Sequence, residues 1–317
     1  MKILKFGFKL VLFIFPLIII ILLINYARLY VTYYFNKKNY DETFSIKGNT
    51  RNYVPQGLAY SNEYNIILQT SYNGNHDTSM LYIIDYKNGK LLKKLKLREN
   101  NNKDNIKHVG GITTDNNKVW IVNDYKVSEY SLIEILETNN SFIKSIGDYK
   151  LINRGDFCLY DSDILWIGEF FLNPFYRVPD NNPLLIGYNY KNAIDYKKPD
   201  YIVSLPKMVQ GMAITDDNKF IFASSFTNLI NSNLSIYDNP LKYKNNYYTV
   251  GNKKIPYYKF NSDNYINNIK VPPMAEGLFY KDNYLYVLFE SSSDKYFYAY
   301  PKMNNIIKIS INKLDKE

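Results

Sequence analysis

The sequence predicts an all-β fold: a propeller of five four-stranded sheets, set behind one N-terminal transmembrane helix. Three observations lead there. A hairpin phrase recurs five times, each interval holds further strand signals, and one long apolar run lies near the start of the chain. With 317 residues, 46% of them hydrophobic and 33 of them Tyr, there is enough material for one large core. The Tyr, Ile and Val content favours strands.

The apolar run comes first. "VLFIFPLIIIILLI" covers Val11 to Ile24, with further apolar residues on both flanks from Phe6 to Tyr34. About 20 such residues suffice to cross a bilayer as a helix, and Pro16 is tolerated there. Tyr26, Tyr30, Tyr33 and Tyr34 suit the lipid boundary. A cleaved leader has a shorter core and a small-x-small cleavage site, which is missing here, so an uncleaved signal anchor is expected. Residues 1–38 are read as a cytoplasmic stub and anchor, and residues 39–317 as the propeller. This makes a single-pass plasma-membrane protein with its large domain outside the cytoplasm.

The formal charge of +9 belongs mostly to that anchor. Lys2, Lys5, Lys9, Arg28, Lys37 and Lys38 account for +6, with no acid among residues 1–38. The remaining +3 on the folded part argues against nucleic-acid binding, which concentrates basic charge on the domain itself.

The five hairpin cores follow in order. They are "QGLAYSNEYNIILQTS" from Gln56, "GGITTDNNKVWIVND" from Gly110, "GDFCLYDSDILWIGEF" from Gly155, "QGMAITDDNKFIFASS" from Gln210 and "EGLFYKDNYLYVLFES" from Glu276. Each has a small residue or Asp near its start, runs through a short strand and a polar turn, and ends in a second apolar strand. The first interval adds "MLYIIDYKNGKLLKKLKL", two β runs joined by Asn-Gly, a strong hairpin signal. Four strands over a repeat of roughly 45–65 residues describe a propeller blade. After the fifth core "NNIIKISINKL" offers a third strand, and "DETFSIKG" near the start offers the fourth. Pairing the two ends closes the ring and removes two exposed edges. Six blades is the alternative, because "NLSIYDNPLKYKNNYYTVGNKKIPYYKFN" has room for extra strands.

The recurrent glycine fits the innermost strand of each blade, where neighbours crowd around the axis. If the registers match, Gln56, Gly110, Arg154 or Gly155, Gln210 and Glu276 stand at one rim. Gln69, Asn123 with Asp124, Glu169, Ser224 with Ser225, and Glu290 form a second ring on the same side. Oxygens converging there could hold a hard cation such as Ca²⁺, which takes six to eight of them, or a polar ligand. Glu169, Glu276 and Glu290 are the candidate acid/base groups, since neighbouring acids raise each other's pKa. His108, just before the glycine pair of the second copy, is the candidate proton shuttle. Gln56, Gln69, Asn123, Asp124, Gln210 and Ser224 are candidate ligand contacts.

Other features read as packing. Trp120 and Trp166 hold the second-strand position of Ile66, Phe220 and Tyr286, which points to blade-on-blade contact. Cys158 sits alone in "DFCLY" as a buried thiol. With two histidines and one cysteine, a zinc site built from them is improbable. The segments 170–183 and 291–305, rich in aromatics, follow Glu169 and Glu290 and are expected to overhang the funnel, with Arg177 and Lys295 among them.

The stretch "VPQGLAYSNEYNIILQTSY…LYIIDYKNGKLLKKLKL" resembles the opening blade of plant-type glutaminyl cyclases, which implies five blades and acyl-transfer chemistry. "EGLFYKDNYLYVLFE" resembles the gluconolactonase and strictosidine-synthase propellers. That likeness implies Glu276 as a metal ligand, with Ca²⁺ the cofactor of a hydrolase. Two functions therefore stand side by side. One is a membrane-anchored module that binds a small polar ligand or a cell-envelope partner in its funnel. The other is a lactonase-like hydrolase or a cyclase.

Overall fold

In the computed structural model, residues 2–170, 182–190, 194–243, 246–250 and 252–311 are described. Helix Lys2–Asn36 leads into five sheets arranged as a five-bladed propeller. The innermost strands are Tyr53–Ser61, Gly111–Thr114, Phe157–Asp161, Val209–Ile214 and Ala275–Lys281, and each adjoins the next around the axis. The first four strands of every blade are antiparallel neighbours stepping outward, so side chains alternate between the two adjacent interfaces.

The ring closes as the sequence implies. Blade five is built from Ala275–Lys281, Tyr284–Phe289 and Asn305–Ser310, and its outermost strand is Asp41–Ser45 from the other end of the chain. Asp41 lies opposite Lys308 and Ser45 opposite Asn305. The long fourth interval does hide extra strands, yet they make no sixth blade. Lys253–Lys259 runs parallel to Tyr201–Ser204 and, with Asn246–Val250, widens blade three to six strands. Phe142–Lys144 likewise extends blade one by pairing parallel to Leu91–Arg98.

The core is divided among the blade interfaces. Leu68, Leu81, Val119 and Ile121 fill the gap between blades one and two, while Trp120, Leu165 and Ile186 fill that between two and three. Trp166, Phe220 and Phe222 pack blade three on blade four. Both tryptophans are buried, and Trp120 stacks on Tyr160 at 5.3 Å between ring centres. Cys158 is buried as well, its thiol 3.8 Å from the Trp120 carbonyl, and burial pushes its pKa up.

At the axis the glycines are required by close approach. A Cβ on Gly277 would stand 2.5 Å from the Leu58 nitrogen, and one on Gly211 would stand 2.5 Å from the Glu276 carbonyl oxygen. A Cβ on Gly111 would meet the backbone of Phe157 and Cys158. Inner strand therefore lies against inner strand. The space left among the axial glycines is about 10 Å³, the lower limit for one water molecule.

Helix Lys2–Asn36 is long and apolar enough to cross a membrane, and every residue from Ile14 to Ile24 is exposed. Its later turns dock on the propeller. Leu29 is buried, Tyr26 stacks on Tyr300, and Asn25 and Arg28 both donate to the Leu229 carbonyl at 3.1 Å.

Candidate functional site

Three of the five inner strands carry an irregularity at the same level. The register shifts between Pro55 and Leu58, between Val209 and Gly211, and between Ala275 and Leu278. The shifts fall on Gln56-Gly57, Gln210 and Glu276-Gly277. A bulge re-aims the side chain it carries, which is the physical reason for the repeated Gln-Gly and Glu-Gly phrases. Met208 and Met274 precede two of these bulges with φ of 65° and 67°, a costly left-handed backbone for a side chain of that size. Each is held by its blade's second strand: Ser225 N donates to Met208 O, and Glu290 N to Met274 O.

Four side chains meet at this rim. Gln210 Nε2 donates to Glu276 Oε1 at 2.9 Å, and Gln56 Nε2 donates to Glu290 Oε2 at 3.3 Å and to the Pro55 carbonyl at 2.9 Å. Glu276 is only 2% exposed. Burial, then the charge of Glu290 beside it, holds its carboxyl well above the usual range. Burial also pushes Glu290 up to about 7, against the pull of the Tyr296 hydroxyl, Lys295 and Gln56. Two acids this close share protons as a pair.

Blades two and three supply the other half. Asp156 accepts from Arg154 Nε at 2.8 Å and from the Phe170 nitrogen at 2.8 Å, and its charge reaches Glu276. Glu169 accepts from the backbone nitrogens of Arg154 and Leu184. Burial outweighs those bonds and pushes Glu169 up to about 7. Asp124 lies 3.7 Å from Arg154 Nη2. His108 tilts against Tyr72 at 4.5 Å between ring centres. Burial, reinforced by Arg154 and Lys295, brings His108 down to about 4, so its imidazole is neutral at neutral pH. Asn123 is buried with its Nδ2 lacking a hydrogen-bond partner.

The register moves two sequence equivalences. Gln69 lies opposite Leu58, level with Phe222 and Val287, three residues inside the strand. Its amide clasps Lys47 instead, donating to the Lys47 carbonyl at 2.6 Å and accepting from its nitrogen at 3.1 Å. Tyr72 takes the place level with Glu290. In blade four Ser225, not Ser224, does so, since Ser224 pairs within the ladder with Val209 and Asn233. Sequence reasoning misses the roles of Asp156, Tyr72 and Tyr296. Asp156 carries a signal, an acid where the other copies show glycine, whereas two tyrosines among 33 carry none. Lys295 lies at the rim, donating to Tyr72 OH at 3.0 Å. Arg177 and most of segment 170–183 lie outside the described residues.

Among the described residues the calcium expectation finds no cluster of acidic ligands. Glu276 is met by Gln210 and Glu290, far short of six to eight oxygens. Among the described residues no group of three or more His, Cys, Asp or Glu side chains is placed to hold a metal ion.

The fold and this rim define a five-bladed β-propeller with an acid pair at its axis. No protein-family model matches the chain, and no curated protein matches its sequence. Solved structures do match in fold. The glutaminyl cyclase of Myxococcus xanthus is 7% identical, with 84% of this chain and 96% of that one covered and a TM-score of 0.48. The PQQ-bound aldose sugar dehydrogenase of Streptomyces coelicolor is 12% identical, with 85% and 96% covered and a TM-score of 0.47. The hydrazine synthase of Kuenenia stuttgartiensis is 9% identical over 76% of this chain and 56% of that one, at a TM-score of 0.40.

Proposed function

We propose that the protein is a membrane-anchored propeller, held on the extracytoplasmic side, whose rim binds a small polar ligand through the Glu276–Glu290 pair. The observation that carries this reading is a nearly inaccessible carboxyl, Glu276, set beside a second acid and held by an amide from the next blade. Buried carboxyls are costly, and a sequence that only needed to fold would place an apolar residue there. With one proton between them, the pair both donates and accepts. It suits a ligand bearing an amine, amide or hydroxyl next to a carbonyl.

The test is a thermal-shift screen of the full chain in detergent against amino acids, amines and sugars. A stabilising ligand is expected, its shift lost in Glu276→Gln and kept in Asp161→Asn at the other end of the axis. No response from any class, or a response that survives Glu276→Gln, sinks the reading.

A second reading is favoured by one specific observation. Glu290, held up to about 7, is poised to take and return a proton at neutral pH, as general acid/base catalysis requires. The pair would then serve acyl transfer, as in cyclisation of an N-terminal glutamine. Ammonia release from a glutamine-initiated peptide, lost in Glu290→Gln, would support it. No release, together with no turnover of esters or lactones, leaves the binding function.

A further inference from the structure

The path of the N-terminal helix fixes which end of the propeller faces the membrane. Strand Asp41–Ser45 runs toward the rim that carries Glu276 and Glu290, because Ser45 pairs with Asn305 at that end and Asp41 pairs with Lys308 nearer the other. The helix before it runs back along the outside of the ring. Tyr33 OH reaches Glu42 at 3.5 Å, close to the start of that strand. Eight residues earlier, Asn25 donates to Leu229, and Tyr26 donates to the Tyr298 carbonyl at 3.0 Å. Leu229 lies in the connection after Phe220–Ser224, and Tyr298 in the connection after Tyr284–Phe289. Both connections belong to the acid-bearing rim. At 1.5 Å per residue the helix climbs about 12 Å between Tyr33 and Asn25. Its exposed apolar part, Ile14 to Ile24, therefore continues past that rim rather than past the opposite one.

The same two connections expose apolar side chains beside the helix. Ile230 is 53% exposed, Phe297 81% and Tyr298 50%. Lys207 and Lys302, both exposed, lie on connections at the same end. Aromatic and aliphatic tips flanked by lysines next to a membrane-spanning helix are the composition of an interfacial contact.

We propose that the acid-bearing rim is a docking face for the lipid bilayer, with Ile230, Phe297 and Tyr298 in the headgroup region and the Glu276–Glu290 site opening at the bilayer–water boundary. This rests on the reading of the helix as a membrane anchor. The ligand is then one met at the membrane surface.

The experiment uses the full chain reconstituted in vesicles of phosphatidylcholine with phosphatidylglycerol. Cys158 is buried, so spin labels report from Ile230→Cys and Phe297→Cys, and from Asp163→Cys at the far rim as control. All three positions are exposed residues of connections between strands. The expected result is a several-fold higher ratio of oxygen to aqueous nickel accessibility at 230 and 297 than at 163. Equal, fully aqueous accessibility at all three in chains that float with the vesicles overturns this proposal alone. Chains that do not float with the vesicles overturn both it and the anchor.

Discussion

Gln210 of blade four donates to Glu276 of blade five across 2.9 Å, tying two inner strands together at the rim. The bond spans 66 residues of sequence and joins two bulges that occupy the same level in their blades. It gives the buried carboxyl a directed donor from a neighbouring sheet, and its removal is informative. Gln210→Leu leaves Glu276 Oε1 without that partner, at an expected cost of about 2 kcal/mol. Gln210→Glu places a third acid against the pair and is expected to cost more. Chemical denaturation of both variants reads the difference, and equal stability of all three proteins contradicts the assigned contact.

Stability should fall with rising pH. Glu169 and Glu290 both have folded-state pKa values raised from 4.5 to about 7, chiefly by burial. The fold therefore favours their protonated forms. Their contribution is complete below about pH 4.5 and is lost as pH rises through about 7. The melting temperature of the unliganded protein is expected to decline across this window by a few degrees. Glu169→Gln with Glu290→Gln should flatten the decline, and a slope unchanged in the double variant contradicts the assignment.

Gly277→Ala should be among the most damaging small substitutions. The new methyl would lie 2.5 Å from the Leu58 nitrogen and 2.7 Å from the Gln56 carbonyl oxygen, both backbone atoms of the next blade. A cost on the order of 2–4 kcal/mol is expected. Gly74→Ala makes the comparison, since its methyl would meet the flexible stem of Lys295 at 3.2 Å and should cost far less. Urea midpoints of the two variants decide it.

Shortening the chain separates anchor from closure. A protein starting at residue 40 keeps strand Asp41–Ser45 and is expected to fold as a cooperative unit. One starting at residue 49 exposes the outer edge of Asn305–Ser310 and should melt earlier and aggregate. Calorimetry with light scattering checks both, and indistinguishable melting contradicts the closing role of the first strand.

Arg154→Ala removes the guanidinium from Asp156, which is 6% exposed, and from Asp124. Burial already raises the Asp156 carboxyl, and Arg154 is the strongest influence pulling it back. The variant is expected to lose about 2 kcal/mol at neutral pH and less in acid, where Asp156 takes a proton. Unfolding followed through a pH series descending from 7.5 reads the contrast.

Much of this was legible in the chain because propeller blades are local. The hairpin cores from Gln56, Gln210 and Glu276 each fold on themselves, so their period shows in the sequence. Closure by residues 41–45 was legible too, since a blade of three strands demands a fourth. Register was not. Gln69 looks equivalent to Glu290 as the first polar residue after an apolar run, but Ile66–Asn73 runs on past it, and the bulge after Pro55 is a backbone event that residue types do not record. The parallel docking of Lys253–Lys259 on blade three was hidden for a similar reason: edge pairing between distant segments leaves no periodic trace.

The glycine seam has a consequence for traffic. With barely one water's volume left where inner strands touch, the axis is closed to anything larger passing between the acid rim and the opposite end. The cavity of about 140 Å³ lined by Tyr60, Tyr160 and Tyr280 on the far side is walled off from the acids. Whatever reaches Glu276 from the acid-bearing rim must leave on that same side of the seam.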